Sequence, residues 1–153
     1  MTPCWRHLCD VDIEPLLAWL ESARIDWPRL PSPDKPQRVR PPEELARPII
    51  DSVLARLGVG LVADDVVLSR VMPGQTHPLH TDRQRSDWLT RVHVPLVTNP
   101  GAWMLFEDER AFAHFEAGKA YSFDALRRHA FGNGGDEARV HLIFDVLRWG
   151  GGQ

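Results

Sequence analysis

Hydrophobic spacing divides the chain into a helical first part and a β-rich second part. In "DVDIEPLLAWLESARIDW" (10–27), Ile13, Leu16, Leu17 and Leu20 recur three and four residues apart, the spacing of one helix face. Asp12 is placed to cap that helix, and Pro15 suits its first turn. A second stripe, Leu45, Ile49, Val53 and Leu57, runs through "PEELARPIIDSVLARLG" (42–58) and stops at Gly58, with Pro48 marking a first turn or a kink. Between the two, "PRLPSPDKPQRVRPP" (28–42) has too many prolines for a helix or a central strand and is expected as an extended surface loop.

After Gly60 the period shortens. Runs rich in β-branched and aromatic residues alternate with glycine, proline and asparagine: "VVLSRVM", "LTRVHVPLV", "AWMLFE", "KAYSFD", the stretch around "RHAFGN", and "RVHLIFDVL". This is the texture of antiparallel strands. "TNPG" (98–101) reads as a turn with Pro100-Gly101 at its centre. Two helices followed by six or more strands predict a mainly β, α+β fold of the jelly-roll type, rolled around a pocket. The 153 residues suit one domain, with 1–60 as helical support carrying the proline-rich loop and 61–149 as the jelly-roll core.

Composition narrows the partners. With 43% hydrophobic and 25% charged residues, the chain is built to bury a core and is not disordered. A net charge of −3 supplies no general attraction to nucleic acid or to an anionic membrane, so neither is expected as a partner. "MTPCWRHLCDVD" lacks the basic-then-apolar pattern of a signal peptide, and no run of apolar residues is long enough to span a bilayer; a cytoplasmic location is expected. Cys4 and Cys9 flank His7 without a fourth ligand and are expected to be reduced structural thiols.

The densest chemistry is "HPLHTD" (77–82). Side chains two apart on a strand share a face, so His80 and Asp82 can converge on one centre while Thr81 turns away. His77, three residues from His80 and followed by Pro78, is expected to point elsewhere and to leave metal binding alone. His129 could supply a third ligand, giving the two-histidine, one-carboxylate set of non-haem iron(II) oxygenases. The same set would also serve a metal-dependent isomerase or lyase of the cupin type, and a non-catalytic binding module stays open. By alternation Arg91 and His93 share one face and Val92, Val94 and Leu96 the other. Arg139 begins an apolar strand, and a guanidinium entering a barrel interior needs an anion. His141 shares its face, in either a supporting or a packing role. Trp88 and Trp103 either wall the pocket or belong to the core.

Taken in order, "SRVMPGQTHPLHTD", "RVHVPLVTNPG", "GKAYSFDALRRHAFGN" and "ARVHLIFDV" resemble the aspartyl/asparaginyl β-hydroxylases, which are similar to bacterial L-proline hydroxylases and belong to the Fe(II)/2-oxoglutarate-dependent oxygenases. The resemblance extends over about Leu68 to Val146. It implies a double-stranded β-helix with His80, Asp82 and His129 as iron ligands. It further implies Arg139 as partner of the distal carboxylate of 2-oxoglutarate, Ser69 as its hydroxyl helper, and His93 as another cosubstrate contact. Arg91 resembles a position facing a carboxylate of cosubstrate or substrate. Animal members that act on proteins have glycine where this chain has Asp82, so the full triad resembles the bacterial branch. The implied cofactors are Fe(II), 2-oxoglutarate and dioxygen, and the implied substrate is an amino acid, or an amino-acid side chain in a small molecule or peptide. Closing the pocket is expected to fall to the N-terminal helices and proline-rich loop, or to a second copy in a homo-oligomer.

Overall fold

The computed structural model describes residues 2–30, 32–82 and 86–149. Among these described residues ten strands and two helices follow one another as β1 (Trp5–Asp10), α1 (Glu14–Ser22), β2 (Gln37–Val39), α2 (Glu43–Leu57), β3 (Leu61–Val71), β4 (Thr76–His80), β5 (Trp88–Val97), β6 (Ala102–Phe106), β7 (Ala111–Ala113), β8 (Lys119–Phe123), β9 (His129–Asn133) and β10 (Arg139–Arg148). The strands form two antiparallel sheets. One has the order β1-β8-β5-β10-β3-β2 and the other the order β4-β9-β6-β7, the two-layered arrangement of a double-stranded β-helix.

Both predicted helices are present. The Asp12 carboxylate accepts the Glu14 N–H at 3.1 Å, and Pro15 lies in the first turn, where no N–H is missed. Pro48 lies inside α2, beyond its first turn, and therefore removes one internal hydrogen bond without ending the helix. Tertiary burial offsets that loss: Ala46, Ile49, Ile50 and Val53 are all buried.

Residues 1–60 are not only helical support. β1 pairs with β8 and β2 pairs with β3, so both edges of the larger sheet come from this part of the chain. Neither strand has a strong hydrophobic alternation of its own. β1 buries one residue, Leu8, and β2 lies inside the proline-rich stretch. Their backbone hydrogen bonds are completed by strands distant in sequence.

Strand alternation sorts the larger sheet into two faces. Val92, Val94 and Leu96 of β5, with Val140, Leu142, Phe144 and Val146 of β10, pack with Leu16, Ile49 and Val53 of the helices. The other face carries Arg91, His93, Arg139 and Asp145 toward the smaller sheet. A second apolar cluster, including Met104, Phe106, Phe115, Tyr121 and Phe123, fills the space between the sheets. The expected turn forms at Pro100-Gly101, with the Ala102 N–H donating to the Asn99 carbonyl at 3.0 Å. A side chain at Gly101 would strike the Gly135 backbone, so close approach of two chain segments requires glycine there. Among the described residues no helix is long and apolar enough to cross a membrane, and both cysteines are free thiols.

Candidate metal centre and cosubstrate pocket

A cavity of about 560 Å³ opens between the sheets. His80, the last residue of β4, pairs directly across from His129, the first of β9, and cross-strand partners share a face. Their ring centroids are 4.3 Å apart. Asp82 lies just past the end of β4, held by its N–H donating to the Ala125 carbonyl at 2.9 Å. One carboxylate oxygen is 3.5 Å from His80 Nε2 and the other 3.3 Å from His129 Nε2. One ligand atom from each of the three lies within 4.8 Å of the others, the only such cluster of His, Cys, Asp and Glu among the described residues.

Both imidazoles are oriented by the backbone. His80 Nδ1 is 2.8 Å from the Pro78 carbonyl and His129 Nδ1 is 2.8 Å from the Arg127 carbonyl. A carbonyl only accepts, so each Nδ1 carries a proton and each Nε2 is the ring atom turned toward Asp82 and available to a metal. Burial pushes the Asp82 carboxyl up, but His129 and the Arg91 guanidinium outweigh it, and the net shift is below the usual carboxylate range. Burial, with the neighbouring His129, holds His80 below the ordinary histidine value. An ionised Asp82 carboxylate is the form that a divalent metal requires, and the low value of His80 favours the neutral ring that can ligate one.

The arginines differ. Arg91 donates through Nη1 to Asp82 at 2.6 Å, and through Nε and Nη2 to the two oxygens of Asp145 at 2.8 and 3.3 Å. It was expected to face a carboxylate of cosubstrate or substrate; its hydrogen bonds go instead to two carboxylates of the protein. Arg139 is only 1% exposed, with its guanidinium 5.3 Å from the Phe131 ring centroid and, among the described residues, no partner for Nε or Nη1. Desolvation alone pulls it from the usual arginine range to about 9. Ser69 and His93, both buried, line the same cavity.

His77 departs from expectation. Between His77 and His80 the register of β4 against β9 slips by one residue, and such a bulge brings residues three apart onto one side. His77 therefore lines the cavity, edge-on to His80 at 4.3 Å and stacked on Phe131 at 5.0 Å. Its Nδ1–H donates to the Asp34 carbonyl at 2.7 Å, and it is not part of the three-residue cluster. Trp88 and Trp103 do not wall the main cavity; Trp88 packs on the inter-sheet core and Trp103 lies against Gly132.

The described part of the proline-rich segment contributes Arg29, Lys35 and Arg38 to the cavity lining, whereas the helices pack behind the larger sheet. Gln37 ties this segment down by donating to the Pro28 carbonyl at 2.7 Å, and Gln75 by donating to the Pro33 carbonyl at 3.0 Å. The sequence reading missed Asp145. It lies six residues after Arg139, so the alternation applied to His141 would have put it on the cavity face.

Comparison with known proteins adds independent findings. A family model described as Aspartyl/Asparaginyl beta-hydroxylase matches residues 22–149. Comparison with curated proteins gives no match. Among solved structures, the chain is similar in fold to a prolyl-4-hydroxylase of Pseudomonas putida, with a TM-score of 0.68 and 17% identity over 96% of this chain and 94% of that one. It is also similar to the viral collagen prolyl hydroxylase of Paramecium Bursaria Chlorella virus-1 in complex with 2-oxoglutarate (TM-score 0.65, 14% identity, 96% and 97% coverage). A third is a non-heme alpha-ketoglutarate-dependent epimerase from nogalamycin biosynthesis (TM-score 0.73, 15% identity, 95% and 78% coverage).

Proposed function

The chain belongs to the aspartyl/asparaginyl β-hydroxylase family, and on that premise we propose that it hydroxylates an amino acid, or an amino-acid side chain in a small molecule or peptide, with His80, Asp82 and His129 holding iron(II) and Arg139 anchoring 2-oxoglutarate. Family membership makes it an iron(II)- and 2-oxoglutarate-dependent oxygenase; the residue roles and the substrate class are our reading. Iron(II), 2-oxoglutarate and dioxygen, when bound, supply oxidation of an unactivated C–H bond with release of succinate and carbon dioxide.

The observation that carries the reading is Arg139, a buried cation that lines the cavity containing the triad and has N–H groups without a partner among the described residues. A buried guanidinium without an anion is costly, and a keto-acid carboxylate satisfies it by paired hydrogen bonds. A metal-dependent isomerase or lyase would have no need of it. Ser69 and His93 line the same cavity as Arg139 and the triad and serve as further cosubstrate contacts. Arg91, held by Asp145, fixes the carboxylate orientation of Asp82. Arg29, Lys35 and Arg38, together with Asp65, line the cavity and suit a substrate that carries both a carboxylate and an amine. Asp65 adopts φ 52, a left-handed conformation rare for a non-glycine residue and often associated with functional sites.

Anaerobic addition of Fe(II) and 2-oxoglutarate tests the assignment, with a visible metal-to-ligand charge-transfer band as the expected result. Its absence in the wild-type protein, or an Arg139→Ala variant with unchanged 2-oxoglutarate affinity, would overturn it. Mass spectrometry for a gain of one oxygen across amino acids and dipeptides, run with succinate detection, then identifies the substrate.

A further inference from the structure

Beside Arg139 lies another, much smaller cavity of about 10 Å³, lined by Thr98, Ala102, Trp103, Met104, Phe115, Arg139 and His141. Three of these residues carry buried polar atoms with no partner among the described residues: Thr98 Oγ1, Arg139 Nε and Nη1, and His141 Nε2. Unpartnered buried polar atoms are rare in folded proteins, and several on residues around one small cavity have a common explanation. The volume matches a single water, and three polar residues match the usual number of bonds to a buried one.

We propose that this cavity holds one ordered water that bridges Arg139, His141 and Thr98, and that the resulting chain determines which ring nitrogen of His93 carries its proton. His93 Nδ1 is 2.9 Å from His141 Nδ1, so one of the two donates and the other accepts. Arginine can only donate, so the water uses a lone pair on Arg139. Its two hydrogens then need acceptors. If His141 Nε2 is bare, it takes one and the Thr98 hydroxyl takes the other. If His141 Nε2 carries a proton instead, one water hydrogen faces Ala102, Trp103, Met104 or Phe115, where the one carbonyl at hand, that of Ala102, is already taken by His114 Nδ1 at 2.9 Å. The first arrangement is favoured, and it leaves His141 Nδ1–H donating to His93 Nδ1. His93 must then carry its proton on Nε2 and present a donor, the polarity that suits an anionic cosubstrate.

Thr98 and His141 are thus positioning residues, acting on the cosubstrate site through His93 and Arg139. That role rests on the functional reading above; the water and the tautomer do not. Both are tested on the metal-free full chain. Long-range ¹H–¹⁵N correlation spectra are expected to show His93 protonated on Nε2 and His141 on Nδ1, and a high-resolution crystal structure to show a water within hydrogen-bond distance of Thr98, His141 and Arg139. An Nδ1-protonated His93, or no water in that cavity, overturns the proposal. Thr98→Val is expected to perturb the His93 tautomer and weaken 2-oxoglutarate binding about tenfold, and Thr98→Ser to restore both. Unchanged binding in Thr98→Val overturns the positioning role. A wild-type protein with the water and the tautomer but no 2-oxoglutarate binding overturns the functional reading and leaves the water site standing.

Discussion

Replacing Arg139 by methionine should make the metal-free protein more stable while abolishing cosubstrate binding. Arg139 is the largest of the fully buried side chains, and its pull down to about 9 is due to desolvation alone. A drop of more than three decades in proton affinity corresponds to roughly 5 kcal/mol against the charged form. That figure is an upper bound, because a buried water partly solvates the guanidinium. Methionine is unbranched and apolar and adapts to irregular space, so the exchange resembles replacement of a buried ion by a packed hydrophobe. A net gain of about 2 kcal/mol would raise the Tm by roughly 4–8 °C in a domain of this size. Calorimetry of the metal-free wild type and Arg139→Met, each with and without 2-oxoglutarate and Fe(II), reads both effects. The variant should melt higher alone, and only the wild type should gain further stability from the cosubstrate. A variant destabilised by several kcal/mol, or one that 2-oxoglutarate stabilises as much as it does the wild type, would refute the reasoning.

Three further outcomes follow from the same geometry. Asp145→Asn removes the charge that holds Arg91 against Asp82, and should weaken Fe(II) affinity about 10- to 100-fold, measured by metal competition; unchanged affinity would show that Arg91 needs no anchor. His80→Ala should abolish Fe(II) binding while His77→Ala leaves it intact, because His77 is bonded to the Asp34 carbonyl and stands outside the three-residue cluster; the reverse result in a binding titration would exchange their roles. His93 and His141 are buried, and burial together with Arg139 holds both well below the ordinary histidine value. The unfolded chain therefore takes up protons that the folded one refuses, and stability present above the unfolded pKa is lost as pH falls. Each histidine should remove about 1.4 kcal/mol per pH unit below about pH 6.5. Urea unfolding of the metal-free protein between pH 7 and 5 measures the slope, and a flat profile would refute the assignment of both as buried neutral rings.

Much of the site can be read along short stretches of the chain. Alternation in "TRVHVPL" separates Arg91 and His93 from Val92, Val94 and Leu96, and the folded sheet keeps that separation. The same rule puts Arg139, His141 and Asp145 on one face, although Asp145 went unread among the apolar residues around it. The helical stripes also needed only local spacing, since each apolar face must be buried and one period does it. The resemblance to a family then joined His80, Asp82 and His129, which alternation alone left as one combination among seven histidines.

Other features came only with long-range pairing. β1 and β2 exist because β8 and β3 offer open edges, not because of any strong pattern of their own. The one-residue slip between β4 and β9 turned His77 into the cavity, against the parity argument from sequence. Arg91 lies nine residues from Asp82 and fifty-four from Asp145, so its choice of partners depends on the registers of several strands together. The convergence of Thr98, Arg139 and His141 on one small cavity is of the same kind. Periodicity is local because a side chain's direction depends on its own strand or helix. Partnership is tertiary because it depends on which strands lie side by side, and with what offset.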